Sequence, residues 1–174
     1  MMRFSGMLAA ATLLTLGGCA QETAESGEPT ETSAASSARA SVETVYDGFA
    51  AGDIALAVST MAPDIVWREA EGNPYADKNP YIGPDAIVND LFARLGGEWE
   101  GFTATPEEFV VDGGRVVVFG RYTGTYIATG KAMNTPFVHS WTVKNGQITA
   151  FQQYTDTEAQ VAAMTGDGAP AESD

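Results

Sequence analysis

The sequence predicts an α+β domain in which helices pack on one face of a strongly curved antiparallel sheet. Three observations support this prediction. Apolar residues first recur at helical spacing, alternating segments with turn signals then follow, and the chain contains no internal repeat. Helices that precede a run of strands are typical of α+β domains, and a sheet with this curvature encloses a pocket against its helices.

Three helices are predicted ahead of the main run of strands. Gly52 is suited to end the first helix, whose apolar stripe consists of Val42, Val45, Tyr46 and Phe49. Asp53 can cap a short second helix over residues 54–62. The third covers residues 83–97, has Pro84 in its first turn, and is expected to stop at Gly96.

A strand is predicted over residues 64–70, and its alternation places Ile65, Trp67 and Glu69 on one face. Residues 71–83 contain two prolines and two glycines and are predicted to form a loop, in which Tyr75 could cover a pocket. Four further strands are predicted over residues 102–114, 115–128, 137–146 and 147–156. A last short helix is predicted over residues 157–164.

The composition limits the classes of function. The chain has 174 residues, 44% of them hydrophobic, which is enough for one domain with a real core. Its 23 acidic and 9 basic residues give a net charge of −14, which argues against nucleic-acid binding because no basic stripe can displace the counterions of phosphates. A single histidine and a single cysteine leave no convincing ligand set, so neither a metal nor a cofactor is expected.

The N-terminal segment has the features of a secretion signal. Arg3 precedes an apolar run from Met7 to Leu16, which is shorter than the ~18 residues of a spanning helix. The ending Leu-Gly-Gly-Cys resembles the lipobox of bacterial lipoproteins, whose cysteine is lipidated and becomes the mature N-terminus. This resemblance implies membrane attachment through Cys19 and a place in the cell envelope. Ala20 after the cysteine implies the outer membrane, facing the periplasm.

Four segments are therefore expected. A signal peptide covers residues 1–18, and a flexible tether over 19–38 is rich in Ser, Thr, Glu and Ala and lacks large apolar residues. The folded domain covers 39–165, and 166–174 form a disordered tail.

The order of the elements resembles that of the SnoaL-like polyketide cyclases and ketosteroid-isomerase-like proteins, within the nuclear transport factor 2-like superfamily. The motifs that carry this resemblance are "AAGD", "MAPDIVWRE", "GPDAI" and "NGQITAFQQYTD". It covers about residues 39–164 and implies a cone-shaped fold with an internal pocket. Proteins of this group often dimerise through the convex face of the sheet, so a homodimer is expected.

The position of the only histidine depends on the register of the last hairpin. A two-residue turn at Asn145-Gly146 would place His139 opposite Gln152. A three-residue loop with a glycine bulge would place His139 opposite Phe151, with Gln153 on the same face. The resemblance favours the bulged form.

The known chemistries of the group match this chain only in part. Ketosteroid isomerisation needs a carboxylate base and two donors for the oxyanion. The resemblance places the base at Glu69, but it places the oxyanion positions near Val45 and Val138, with Tyr46 one residue off and on a different face of the helix. Cyclase chemistry would retain His139, but Gln153 replaces the aspartate. Epoxide hydrolysis would use Arg121, but Thr123 and Gln153 replace both acids.

We therefore expect the pocket to bind a small hydrophobic molecule, through Trp67, Tyr75, Arg121, Phe137, Trp141, Phe151 and Gln153. One alternative is an isomerase or cyclase-like enzyme that uses Glu69 and His139 as an acid/base pair on a small carbonyl compound. Another is a dimeric assembly module. An enzyme predicts a group that titrates near neutral pH, a carrier predicts a co-purified ligand, and an assembly module predicts a filled cavity.

Overall fold

The structure, a computed structural model, describes residues 31–166. The helical elements are α1 (Glu31–Ala51), α2 (Ile54–Val58), a 3₁₀ turn (Pro74–Lys78), α3 (Gly83–Ala86), a π-helical segment (Ile87–Phe92), α4 (Ala93–Glu98) and α5 (Thr157–Met164). The strands are β1 (Met61–Arg68), β2 (Tyr81–Ile82), β3 (Trp99–Asp112), β4 (Arg115–Tyr126), β5 (Ala132–Lys144) and β6 (Gln147–Thr155).

The strands form one sheet of six, in the order β2-β1-β6-β5-β4-β3. Neighbouring strands run antiparallel except β1 and β6, which run parallel. Helix α1 packs against β3, β4, β5 and β6, so the core lies between the helices and the inner face of the sheet. This arrangement confirms the predicted α+β class with helices on one face of a curved sheet.

The first helix ends as predicted but begins earlier. Gly52 follows it with a positive φ of 69°, a conformation that glycine adopts without steric cost. The Asp53 side chain accepts a hydrogen bond from Leu56 N at 2.9 Å and thereby caps α2. The predicted tether is wrong for residues 31–38, since α1 begins at Glu31 and Ala38 is buried. The rest of the tether, the signal peptide and Cys19 lie outside the described residues.

The helix predicted over 83–97 extends to Glu98, and its middle section is π-helical. Leu91, Phe92 and Leu95 are buried on the side of this helix that faces the sheet. None of the helices between residues 31 and 166 is long and apolar enough to cross a membrane.

Neither predicted register of the last hairpin is right. Lys144 pairs with Gln147, so Asn145 and Gly146 form a two-residue turn. Their φ angles are 51° and 75°. A bulge at Thr149 then shifts the pairing by one residue, since Val143 pairs with Ile148 but Thr142 pairs with Ala150. His139 therefore lies directly opposite Gln153, and both side chains point to the inner face.

Candidate functional site

A cavity of about 50 Å³ lies between α1, the α3–α4 segment, α5 and the inner face of the sheet. Its walls are mainly aromatic and aliphatic. The polar side chains that reach it come from α1, the 3₁₀ turn, α5, the C-terminal end of β1 and the strands β4, β5 and β6. The residues that line it are Val45, Tyr46, Phe49, Trp67, Glu69, Tyr75, Leu91, Phe92, Leu95, Phe102, Ala104, Tyr122, His139, Trp141, Gln153 and Gln160.

Glu69 is a buried carboxyl group held by two N–H donors. It follows the last residue of β1 and is only 4% exposed. Its Oε1 accepts a hydrogen bond from Trp67 Nε1 at 2.7 Å, and its Oε2 accepts one from Asn73 Nδ2 at 2.9 Å. The Asn79 side chain accepts from the backbone N–H of Glu69 and donates to its carbonyl oxygen, which fixes this stretch of chain. The carboxyl group is therefore held in one orientation against the cavity.

Burial raises the pKa of Glu69 to about 7, although the hydrogen bond from Trp67 favours the charged form and opposes this shift. An ordinary glutamate is fully ionised at neutral pH, whereas Glu69 is divided there between its acid and its carboxylate form. A group with this property can both accept and return a proton under physiological conditions.

Backbone donors fix the orientation of the two amide side chains beside Glu69. Asn73 Oδ1 accepts from Tyr75 N, so Asn73 Nδ2 faces Glu69 and Gln153. Gln153 Oε1 accepts from Ala70 N at 3.2 Å and from Asn73 Nδ2 at 2.7 Å. Gln153 Nε2 is therefore left to donate to the Tyr122 hydroxyl at 2.9 Å. A directed chain of hydrogen bonds thus connects the surroundings of Glu69 to Tyr122.

His139 lies at the centre of the inner face, between two tyrosine hydroxyls. Its Nδ1 is 2.7 Å from the Tyr46 hydroxyl, and its Nε2 is 2.5 Å from the Tyr122 hydroxyl. The Phe137 ring stacks on the imidazole with centroids 3.9 Å apart. Burial lowers the pKa of His139 well below its usual value, so the ring is neutral at pH 7.

The hydrogens of this cluster leave one tyrosine hydroxyl hydrogen without an acceptor among residues 31–166. Trp141 Nε1 donates to Tyr46, Gln153 Nε2 donates to Tyr122, and the two hydroxyls each bond to His139. A neutral imidazole carries one N–H. The indole N–H of Trp141, the amide N–H of Gln153, the two hydroxyls and the ring N–H therefore supply five hydrogens to four hydrogen bonds, and one hydrogen remains. The tautomer of His139 decides whether Tyr46 or Tyr122 holds the spare hydrogen. Both tyrosines line the cavity, and burial raises the pKa of each, so both remain protonated.

The predicted ligand-binding residues fall into three groups. Trp67, Tyr75, Trp141 and Gln153 line the cavity, as do Glu69 and His139. Phe137 and Phe151 are buried behind this lining, and Phe151 stacks on Trp67 with centroids 3.7 Å apart. Arg121 does not reach the cavity. It is exposed on the outer face of the sheet and donates to Asn134 Oδ1, because the alternation of β4 turns Tyr122 inward instead.

No hydrogen bond joins Glu69 to His139 among residues 31–166, and the path between them runs through Asn73, Gln153 and Tyr122. Tyr46 faces the cavity and bonds to His139, which corrects the expectation that it lies on a different face of its helix. The sequence reasoning also did not select Tyr122, Asn73 or Gln160. Only Tyr122 had a clear signal, since it follows Val116 and Val118 in alternation along β4.

Within residues 31–166, no three side chains of His, Cys, Asp or Glu come together in a group that could hold a metal ion. The polar groups of the cavity are instead one carboxyl group, one neutral imidazole, hydroxyls and amides.

Comparisons with known proteins agree with this architecture. A family model described as a SnoaL-like domain matches residues 42–151. An NTF2-like protein from Burkholderia thailandensis E264 is 37% identical, with a TM-score of 0.71 over 74% of this chain and 97% of that one. TerC, crystallised with polyporic acid, is 31% identical, with a TM-score of 0.67 over 74% of this chain and 98% of that one.

A curated relative is patulin synthesis protein F of Aspergillus clavatus, which is 30% identical over 95 residues. These residues make up 54% of this chain and 48% of the relative, so the chain spans about half the length of the curated protein it matches.

Proposed function

This chain belongs to the SnoaL-like domain family, and from that premise we propose that its cavity binds a small, mainly hydrophobic carbonyl compound on which Glu69 moves a proton. One observation carries this proposal. The Glu69 carboxyl group is buried against a largely aromatic cavity, and burial raises its pKa to about 7. A general base is most effective when its pKa lies near the working pH.

The remaining polar groups have matching roles. The Glu69 carboxylate takes a proton from the carbon next to the carbonyl, and the electron pair of that C–H bond moves into an enolate. The enolate oxygen accepts a hydrogen bond from the spare hydroxyl hydrogen of Tyr46 or Tyr122, and this bond stabilises its negative charge. Glu69 then returns the proton to the same or to a conjugated carbon, so the net reaction is an exchange or an isomerisation.

His139 acts in this proposal as a positioning residue and not as the second acid/base group. It is neutral at pH 7, and both of its nitrogens are already used by tyrosine hydroxyls. It therefore fixes where the two hydroxyls lie, and through its tautomer it sets which of them donates to the ligand.

The size of the cavity constrains the ligand. Sites for drug-sized ligands occupy roughly 300–1,000 Å³, whereas this cavity measures about 50 Å³. Several of its walls, such as Leu91, Phe92 and Leu95, come from one helical segment. Only a few non-hydrogen atoms fit without movement, so binding of a larger compound requires displacement of a wall.

The relatives support a small-molecule role. TerC was crystallised with polyporic acid, and the curated relative is named for patulin synthesis. By this likeness, we propose that the present chain also acts on a small organic compound.

The direct test is deuterium exchange into the methyl group of acetophenone, followed by proton NMR in D₂O. The wild-type protein is expected to catalyse the exchange. The rate catalysed by E69Q is expected to be about 10²–10⁴-fold lower than that of the wild type. E71Q is the matched control, because Glu71 is exposed and does not line this cavity. Equal exchange by wild type and E69Q would overturn the role of Glu69.

A second candidate is a carrier without catalysis, which the aromatic character of the walls favours. It predicts a hydrophobic compound that co-purifies with the chain when it is expressed with its signal in a Gram-negative periplasm. Mass spectrometry of released small molecules would detect it, and a stoichiometric ligand that the wild type retains without converting it would favour this candidate.

We also propose that two copies pair through the convex face of the sheet. Phe119, Val138 and Tyr154 form a row across β4, β5 and β6 on this face, and Phe119 and Tyr154 are 41% and 57% exposed. Light scattering is expected to give the mass of a dimer, and F119E the mass of a monomer. A monomeric wild type would contradict the pairing.

Membrane attachment through a lipidated Cys19, with a place in the cell envelope, stays a proposal from the sequence. It predicts that C19S moves the chain from the membrane fraction to the soluble fraction of a bacterial host. The same distribution of wild type and C19S would contradict it.

A further inference from the structure

We propose that Gln160 is a ligand-binding residue, and that the compound bound in the cavity is a hydroxylated carbonyl compound whose hydroxyl group donates to Gln160 Oε1. This inference rests on the proposed function, because it places the carbonyl oxygen of the same ligand at the spare tyrosine hydroxyl. It adds the chemical class of the ligand and a residue that selects it.

The side-chain oxygen of Gln160 is buried without a partner. The side chain lines the cavity, and the residue is only 3% exposed. Its Oε1 has no hydrogen-bond partner, and no side-chain hydrogen bond joins Gln160 to any residue between 31 and 166. A buried polar atom without a partner costs free energy, so such atoms are rare in folded proteins.

The rest of the described core shows how unusual this residue is. Among buried side-chain nitrogen and oxygen atoms in residues 31–166, only Thr135 Oγ1 and Gln160 Oε1 lack a partner. Thr135 is on the inner face of β5 but does not line the cavity. Gln160 is thus the only described residue that both lines the cavity and has an unpartnered buried side-chain atom.

The local structure holds Gln160 in this position. The Asp156 side chain accepts from Ala159 N at 3.1 Å and caps α5, and α5 packs against β4 and β5. Gln160 and Ala163, three residues apart, are the buried residues of this short helix. An apolar residue would satisfy the packing at this position, so the glutamine adds a hydrogen-bonding group that the fold itself does not use.

The unused groups of the cavity define what a ligand must offer. The tyrosine cluster has one spare hydroxyl hydrogen, which requires an acceptor such as a carbonyl oxygen. The Gln160 oxygen requires a donor such as a hydroxyl group. Both oxygens of Glu69 already accept N–H bonds from the protein, and the other walls are largely apolar. A carbonyl group and a hydroxyl group on a mainly apolar skeleton satisfy both requirements.

Binding of acetophenone and of its 2-, 3- and 4-hydroxy derivatives tests the proposal, with dissociation constants measured by titration calorimetry. The wild type is expected to bind at least one hydroxy isomer about fivefold to tenfold more tightly than acetophenone. This preference should disappear in Q160M, which keeps the size of the side chain but removes the acceptor.

T135V is the matched control, because it removes the other unpartnered oxygen at a place outside the cavity wall. It should keep the preference of the wild type. The same preference in Q160M as in the wild type would overturn the proposal, and so would the absence of any preferred isomer in the wild type.

The melting temperature of the free protein gives an independent check. Q160M breaks no hydrogen bond to residues 31–166, so it should unfold at the temperature of the wild type or above it, as should T135V. A clear fall in Q160M alone would show that the glutamine serves the fold, which would overturn the proposal. Because the preference is measured by binding, it is judged separately from proton transfer, whose failure would appear as equal exchange by wild type and E69Q.

Discussion

The two buried polar regions of the cavity respond to burial in opposite ways. At the end of β1, Glu69 is held by N–H groups of Trp67 and Asn73, and burial raises its pKa to about 7. On the central strands, His139 is held by the hydroxyls of Tyr46 and Tyr122, and burial lowers its pKa well below the usual value. In both regions the neutral form is favoured, but only Glu69 is brought to a pKa near neutrality.

This difference separates two roles that one alternative from the sequence had joined in an acid/base pair. In the proposed function, Glu69 exchanges a proton near pH 7, whereas His139 keeps its proton count and fixes the orientation of its neighbours. The connection between them through Asn73, Gln153 and Tyr122 consists of hydrogen bonds whose direction the backbone determines. Variants of one region that leave the other unchanged would separate the two roles by experiment.

The largest expected effect is the dependence of proton exchange on pH. The pKa of the base is about 7. The rate of acetophenone exchange should therefore rise about 100-fold between pH 5 and pH 8 and then level off, because the carboxylate fraction of Glu69 rises by about the same factor.

The comparison variant for this profile is H139Q. It should lower the rate but leave the midpoint near the same pH, because burial lowers the pKa of His139 well below its usual value and away from that of Glu69. A midpoint that moves or vanishes in H139Q would assign the titration to the histidine region.

A smaller effect is expected on the pH dependence of stability. The Glu69 pKa is raised from 4.5 to about 7 in the folded state, so its contribution is fully present below pH 4.5 and is lost as the pH rises through 7. Between pH 5 and pH 8 this loss should amount to about 2–3 kcal/mol of unfolding free energy.

Urea unfolding of wild type and E69Q at both pH values measures it. E69Q should lack this slope, so the stability of the wild type relative to E69Q should fall as the pH rises. His139 contributes the opposite trend below pH 6.5, because its folded pKa is lowered, and the comparison with E69Q cancels that contribution. A constant difference between the two proteins would show that Glu69 has an ordinary pKa.

The smallest effect concerns single hydroxyls of the histidine region. Y122F leaves Gln153 Nε2 and His139 Nε2 without their partner, and Y46F does the same to His139 Nδ1 and Trp141 Nε1. Each is expected to lower the unfolding free energy by about 1–3 kcal/mol, the cost of unsatisfied buried groups.

The control is Y126F, since Tyr126 makes no side-chain hydrogen bond within residues 31–166 and lies outside the proposed dimer row. It should change stability by less than about 0.5 kcal/mol. Equal losses in all three variants would contradict the special role of the cluster.

Local patterns made much of the fold predictable. The stripe of α1, the position of Gly52 and the capping by Asp53 follow from helical spacing and capping rules, and the structure has all three. Glu69 was predictable as an inward residue because it continues the alternation of Ile65 and Trp67.

The register of the last hairpin was not predictable, because the bulge at Thr149 contains no glycine and depends on the pairing of β6 with two neighbours. The two-residue turn alone would pair His139 with Gln152, and the bulge at Thr149 then shifts this pairing to Gln153. The inward position of Gln153 was nevertheless expected, although for a different reason.

The polar network of the site was the least predictable part. Asn73 lies in a loop, and its role depends on a hydrogen bond to Gln153, which is 80 positions away in sequence. The lack of a partner at Gln160 depends on every side chain around the cavity, which no local pattern encodes. Tyr122 was the exception, since simple alternation along β4 would have placed it inside and Arg121 outside.

The most direct test of the central claim is a carbon-13 NMR titration of the Glu69 carboxyl group, assigned by the signal that E69Q lacks. The account predicts a midpoint near pH 7, with a profile that H139Q leaves in place. A midpoint near the ordinary value for glutamate, about 4.3, would contradict the claim that this buried carboxyl group carries the proton in the cavity.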